Sequence, residues 1–177
     1  QSVFNIAYQH AKTRKHNNTY NISHHIKVPT FGCFQDHRTK SFLSKEACVD
    51  KIWKIGGDTG WYSHNWLWRV RGTIDKIYGG VGLRRGRTSI DELKAGDALD
   101  FWRVLYANKD EGRLLLYAEM KLPGEAWLEF NIINGELTQT ATFRPLGVLG
   151  RLYWYSVSPL HSLIFNGMLR KLTQSNY

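Results

Sequence analysis

The chain has 177 residues, 42% of them hydrophobic and 14% aromatic, with seven Trp. That length suits one domain with a substantial core, and the composition excludes fibrous, low-complexity and largely disordered chains. The net charge is +9, yet no run of 18 apolar residues occurs, so a conventional helical membrane span is excluded too.

The basic excess is uneven. Residues 1–40 hold six Lys or Arg against Asp36 alone, and Arg84, Arg85 and Arg87 form a second cluster. Such charge attracts nucleic acid or anionic lipid, but here it is modest and split, and it reads first as solvated surface. QSVFNIAYQHAKTRKHNN places its charges after the apolar stretch and has no small-residue cleavage site, so it is not a signal peptide. The missing initiator Met points to a processed chain, an excised domain or a trimmed one. Cys33 and Cys48 read as a reduced pair, which favours a cytoplasmic setting, with one disulfide as the alternative.

In chain order, residues 2–12 put Val3, Ile6 and Ala7 on one helical stripe. Residues 13–30 are polar and rich in Asn and His, and read as an exposed linker, making 1–30 an extension ahead of a domain over 31–177. FGCFQDHRTKSFL (31–43) begins strand-like. Ser44 is a good N-cap for a helix that Gly56-Gly57 stops. A second helix fits 63–78, where Trp66, Val70 and Ile74 form an apolar stripe expected to be core, and Gly79-Gly80 ends it. From Ala98 the period changes to two, giving strands over 98–106, 112–121, 125–133 and 136–144. Asn134-Gly135 between the last two is a strong hairpin turn. After Pro145 a long helical pattern returns, interrupted by Pro159, which should kink it. Two helices, an antiparallel meander and a long C-terminal helix make an α+β arrangement. If the sheet wraps that helix the fold is a helix grip, and a cavity between them suits an apolar ligand.

The stretches KIWKIGGDTGWYSHNWLWRVRGTIDKIYGGVGLRRGR, GDALDFWRV, AEMKLPGEAWLEF, QTATFRP and GRLYWYSVSPLHSLIFNGM carry a resemblance. From about residue 34 to the end the chain resembles a bacterial domain-of-unknown-function family. Its members occur as the C-terminal domain of atypical short-chain dehydrogenase/reductase proteins, within the START-like (helix-grip, SRPBCC) superfamily. The resemblance implies a helix-grip fold and a Rossmann-type NAD(P)-binding neighbour, in cis or in trans; it implies no reaction. SVFNIAYQHAKTRKHN resembles the tail leaving that neighbour, which suggests a fragment of a longer protein.

No cofactor is expected in this chain itself. GGVGLRRG spaces its glycines one residue too widely for a dinucleotide fingerprint and lacks a βαβ context. It is a structural turn, or a weak anion cradle beside Arg84, Arg85 and Arg87. No His or Cys spacing suits a metal, and no motif announces a nucleophile. Glu119 shares a strand face with Leu115 and Tyr117, and Arg103 with Phe101 and Leu105. If those faces point inward, the two make a structural salt bridge; otherwise Glu119 or Glu129 lines a cavity as a general acid or base.

The aromatic run around Trp61 is read as core plus pocket lid, with core alone as the alternative. The expected ligand contacts are Trp61, Tyr62, Trp66, Trp102, Arg103, Tyr117, Glu119 and Trp127, with Tyr153, Ser156, Leu160 and Met168 from the last helix. The leading expectation is a domain that holds a hydrophobic or amphipathic small molecule, accessory to a reductase-like domain. An enzyme using a cavity carboxylate is the second reading. The third is a module docking on a partner protein or, peripherally, on a membrane. Nucleic-acid binding comes last.

Overall fold

Alternation along the later strands sorts their side chains onto two faces. The computed structural model describes residues 27–77, 79–80 and 92–174. In it β1 (Phe34–Ser41), α1 (Lys45–Trp53) and α2 (Asn65–Ile77) precede β2 (Ala98–Leu99), β3 (Trp102–Asn108), β4 (Arg113–Ala118), β5 (Gly124–Ile133) and β6 (Glu136–Pro145). Helix α3 (Gly147–Thr173) closes the order. The expected helix over 2–12 and the linker up to residue 26 lie outside the described residues.

The six strands form one antiparallel sheet in the order β1-β6-β5-β4-β3-β2. The meander of four strands is as expected, and β1 adds itself beside β6, so the first strand lies against the last. The α+β helix-grip expectation holds: α3 packs on β6 and β1. At the β5–β6 turn Asn134 and Gly135 take φ of 51° and 80°, the paired positive values that a two-residue turn requires. The strand expected over 98–106 is broken after Leu99, because Asp100 adopts φ 55° and a bulge follows Val104.

Both early helices form where expected. Ser44 Oγ accepts the Ala47 N–H at 3.2 Å, satisfying one otherwise orphan donor of α1. The last carbonyls of α3 are satisfied from outside: Lys51 Nζ donates to the Lys171 carbonyl at 3.1 Å and also to that of Gln174, a cation where the helix dipole favours one. Helix α3 runs on through Pro159 rather than breaking there.

A further expectation is corrected. The stripe Trp66, Val70, Ile74 does not face the core; all three are exposed, Trp66 at 60%. Spacing by four shows that residues share a helix face, but not which way it points. The buried face of α2 is instead Trp68, Gly72 and Asp75. Trp68 stacks on Trp61 at 4.9 Å, and the Asp75 carboxylate accepts the Lys121 N–H at 2.7 Å. Those anchors hold α2 against the sheet with its apolar stripe outward.

Candidate functional site

The side of the sheet facing α3 is lined by Trp102, Val104, Leu114, Leu116, Leu128, Phe130, Leu137 and Ala141, which join the main core with Phe165 and Met168 of α3. Its β2–β3 end is an aromatic corner. Trp61 lies 6.4 Å from Phe101 and 5.9 Å from Trp102, centroid to centroid, and its Nε1 donates to the Asp100 carboxylate at 2.7 Å. The positive φ of Asp100 therefore aims a buried acceptor at the indole.

At the other end, β1 is clamped to α3. Arg38 holds Asp36 with two bonds of 2.7 and 2.8 Å, and its Nη1 donates to Asn166 Oδ1 and, at 3.4 Å, to the Ser162 carbonyl. His161 packs its ring against Trp154 and Phe165. Burial pushes the His161 pKa below its ordinary 6.5; Asp36 opposes that shift and Arg38 adds to it. Phe34 and Phe143 stack on Trp154.

Gln139 stands between these ends, in register with Arg38 on one side and Phe130 on the other. Alternation along β6 puts it on the same face as Leu137 and Ala141, towards α3. It is 1% exposed, and neither its amide oxygen nor its amide nitrogen has a hydrogen-bond partner among the described residues. Trp68 Nε1, Trp102 Nε1 and His161 Nδ1 are likewise buried atoms without a partner among the described residues, as is Trp127 Nε1 on the opposite face of the sheet. A primary amide has two donors and two acceptor lone pairs, and burying one unsatisfied costs roughly 1–3 kcal/mol. Gln139 differs from the single ring nitrogens in that both polar atoms of its side chain are left unmatched.

The residues singled out in the sequence divide three ways. Trp61, Trp102 and Met168 are buried in the main core, and half-buried Tyr153 packs on Phe143 at 5.6 Å. Tyr62 is half-buried and its hydroxyl donates to the Lys51 carbonyl at 3.1 Å. Arg103, Tyr117, Glu119, Trp127 and Glu129 lie on the opposite face of the sheet, because they alternate with Val104, Leu116, Ala118 and Leu128. Trp66, Ser156 and Leu160 point outward from their helices; the Ser156 hydroxyl donates to the Tyr153 carbonyl at 2.8 Å.

The two carboxylates considered for proton transfer both have guanidinium partners. Arg103 binds Glu119 bidentately at 2.9 and 3.0 Å while its Nη1 donates to the Gly96 carbonyl at 2.7 Å. Arg113 Nε donates to Glu129 at 2.7 Å. The condition that these faces point inward is not met, yet the Arg103–Glu119 pair forms, as a part-buried bridge on the outer face. Arg84, Arg85 and Arg87 lie outside the described residues. Cys33 and Cys48 are free thiols, and burial pushes Cys48 up to about 11.

Gln139, Trp68 and His161 escaped the sequence reading. A glutamine inside ELTQTATF looks like one more polar residue of a half-exposed strand; only its phase relative to Leu137 and Ala141 marks it as inward.

Among solved structures, a crystal structure of Ara h 8.0201 is similar with a TM-score of 0.39 and 10% identity, over 80% of this chain and 98% of that one. A search of curated proteins finds no match. The family described as protein of unknown function (DUF2867) matches residues 33–168, most of the length, and the chain belongs to that family.

Proposed function

We propose that this domain binds an amphipathic small molecule between the sheet and α3, with the ligand's polar group received by Gln139. The observation that carries this reading is the fully buried Gln139 amide, on the strand face it shares with Leu137 and Ala141 and with no hydrogen-bond partner among the described residues. A binding interior of this kind is largely apolar with a few placed polar groups that fix orientation. The Nε1 donors of Trp102 and Trp68 and the Nδ1 of His161 offer further points of contact. A ligand with one hydrogen-bonding head and an apolar body fits this inventory; a highly charged one does not.

The ligand's role follows from the resemblance of the sequence: the domain serves a Rossmann-type, NAD(P)-binding reductase neighbour in the cytoplasm and presents its ligand there. No cofactor is assigned to this chain. Among the described residues no helix is long and apolar enough to cross a membrane.

The test is native mass spectrometry of gently purified chain, followed by organic extraction, on the wild type and on Gln139→Leu. The wild type is expected to carry a discrete amphipathic molecule that the variant retains several-fold less, with folding intact. A wild-type chain that is clean and gains no thermal stability from amphipathic probes such as decanoate or a short-chain quinone overturns the reading.

A further inference from the structure

We infer that the outward sides of α2 and α3 together form a docking surface for an anionic lipid bilayer. The apolar stripe of α2, Trp66, Val70, Ile74 and Ile77, is turned to solvent although nothing in its spacing distinguishes it from a core face. Helix α3 does the same: Leu149 is 73% exposed and Leu152 is 61%, with Tyr155 beside them. Two contacts set α2 beside α3. Tyr153 of α3 meets Arg71 of α2, and Gly167 leaves room for Ser63 just ahead of α2. A side chain at Gly167 would come within 2.1 Å of Ser63 Oγ, so the approach there is close.

Charge selects the occupant. Every exposed charge on the two helices is cationic: Arg69 and Lys76 on α2; Arg151, Arg170 and Lys171 on α3. The one acid on α2, Asp75, is buried and bound to the Lys121 backbone, and no Asp or Glu follows Glu136 in the chain. Arg69 adjoins Val70, Lys76 lies between Ile74 and Ile77, and Arg151 lies between Leu149 and Leu152. Apolar and aromatic side chains interleaved with Lys and Arg, and free of acids, are the pattern of a helix lying in a membrane interface. The long stems of Arg and Lys follow apolar surface while their charges reach headgroups. A protein partner would have to supply an acidic rim around an apolar centre, whereas an anionic bilayer presents both layers at once. Helix α3, about 40 Å long at 1.5 Å per residue, offers enough length to lie flat on it.

Co-sedimentation of the full chain with vesicles tests this, using phosphatidylcholine alone and phosphatidylcholine mixed with phosphatidylglycerol. Binding to the anionic vesicles is expected to be on the order of tenfold stronger or more, and to weaken at high salt, as juxtamembrane cations require. Two variants are compared: Trp66→Ser with Leu149→Ser and Leu152→Ser, and Arg69→Glu with Arg151→Glu. All five positions are solvent-facing, and circular dichroism checks folding; should the apolar variant misfold, the charge variant decides alone. Each is expected to lose most of the binding. The inference is overturned if the wild type ignores anionic vesicles, binds neutral ones equally, or is unaffected by the charge variant. It is equally overturned if sedimentation shows a dimer that the variants dissolve, since a second copy then covers the face.

Discussion

The two faces of the sheet bury similar kinds of residue but settle their polar groups differently. On the outer face the acids Glu119, Glu125 and Glu129 meet Arg103, Arg144 and Arg113. Threonines of β6 bond across to β1, with Thr140 Oγ1 at 3.0 Å from His37 Nδ1. Leu115 and Trp127 sit among these pairs as a small second core that includes Leu105 and Tyr106. On the inner face the apolar lining is far larger, and there both amide atoms of Gln139 lack a partner among the described residues, against the single Trp127 Nε1 on the outer face. The contrast shows where to look for function. A buried polar group that already has its partners is architecture, whereas an amide with both atoms unmatched carries a desolvation cost that a bound hydrogen-bonding group would offset.

The largest effect that would sharpen this contrast is expected at the inner face. Phe130 is 0% exposed, and Phe130→Ala should cost about 3–5 kcal/mol, since the lost ring leaves a cavity that its neighbours cannot fill. A denaturant midpoint unchanged from wild type would show that the inner core is loosely packed. On the outer face, Arg103→Ala strands a part-buried carboxylate and should cost about 1–3 kcal/mol. A double-mutant cycle with Glu119→Gln should give a coupling of comparable size. Independent effects at the two positions would mean that the bridge is not structural, and would reopen Glu119 as a chemical group.

Much of the fold was legible from period and turn chemistry. The change of period at Ala98, the Asn134-Gly135 turn and the Ser44 cap each state a local backbone requirement, and the strands and α1 follow within a few residues. What spacing cannot state is direction. Trp66, Val70 and Ile74 mark one side of α2, but whether it faces in or out is decided by Trp68, which stacks on Trp61, with Gly72 and Asp75 buried on the same helix. The same gap hid the candidate site. Arg103, Tyr117, Glu119 and Trp127 alternate correctly but on the phase opposite to Leu116 and Leu128, so the site expected on them divides between two faces. Gln139 needed both the phase of β6 and the pairing with β1 before its burial was visible.

Smaller effects probe the inner lining itself. Gln139→Leu keeps the shape and removes the unsatisfied amide, so the ligand-free chain should gain about 1–2 kcal/mol, read as a higher melting temperature. A loss instead would mean that the amide is already satisfied, and would weaken the contrast between the faces. The subtlest test concerns His161. Its pKa in the fold lies below the ordinary 6.5, chiefly through burial, so the unfolded chain binds its proton first as pH falls. The stability that depends on a neutral His161 is therefore fully present above about pH 6.5. It is lost as the pH falls towards the lower folded value, with a slope of at most about 1.4 kcal/mol per pH unit for one proton. His161→Phe should flatten that part of the profile between pH 7 and 5 while leaving the acid limb due to the carboxylates. If the slope survives the substitution, another group titrates there. A ligand that donates a hydrogen bond to the Nδ1 lone pair would lower the folded pKa further, so in the loaded chain the loss would begin at the same pH but continue to lower pH, tying that nitrogen to the same site as Gln139.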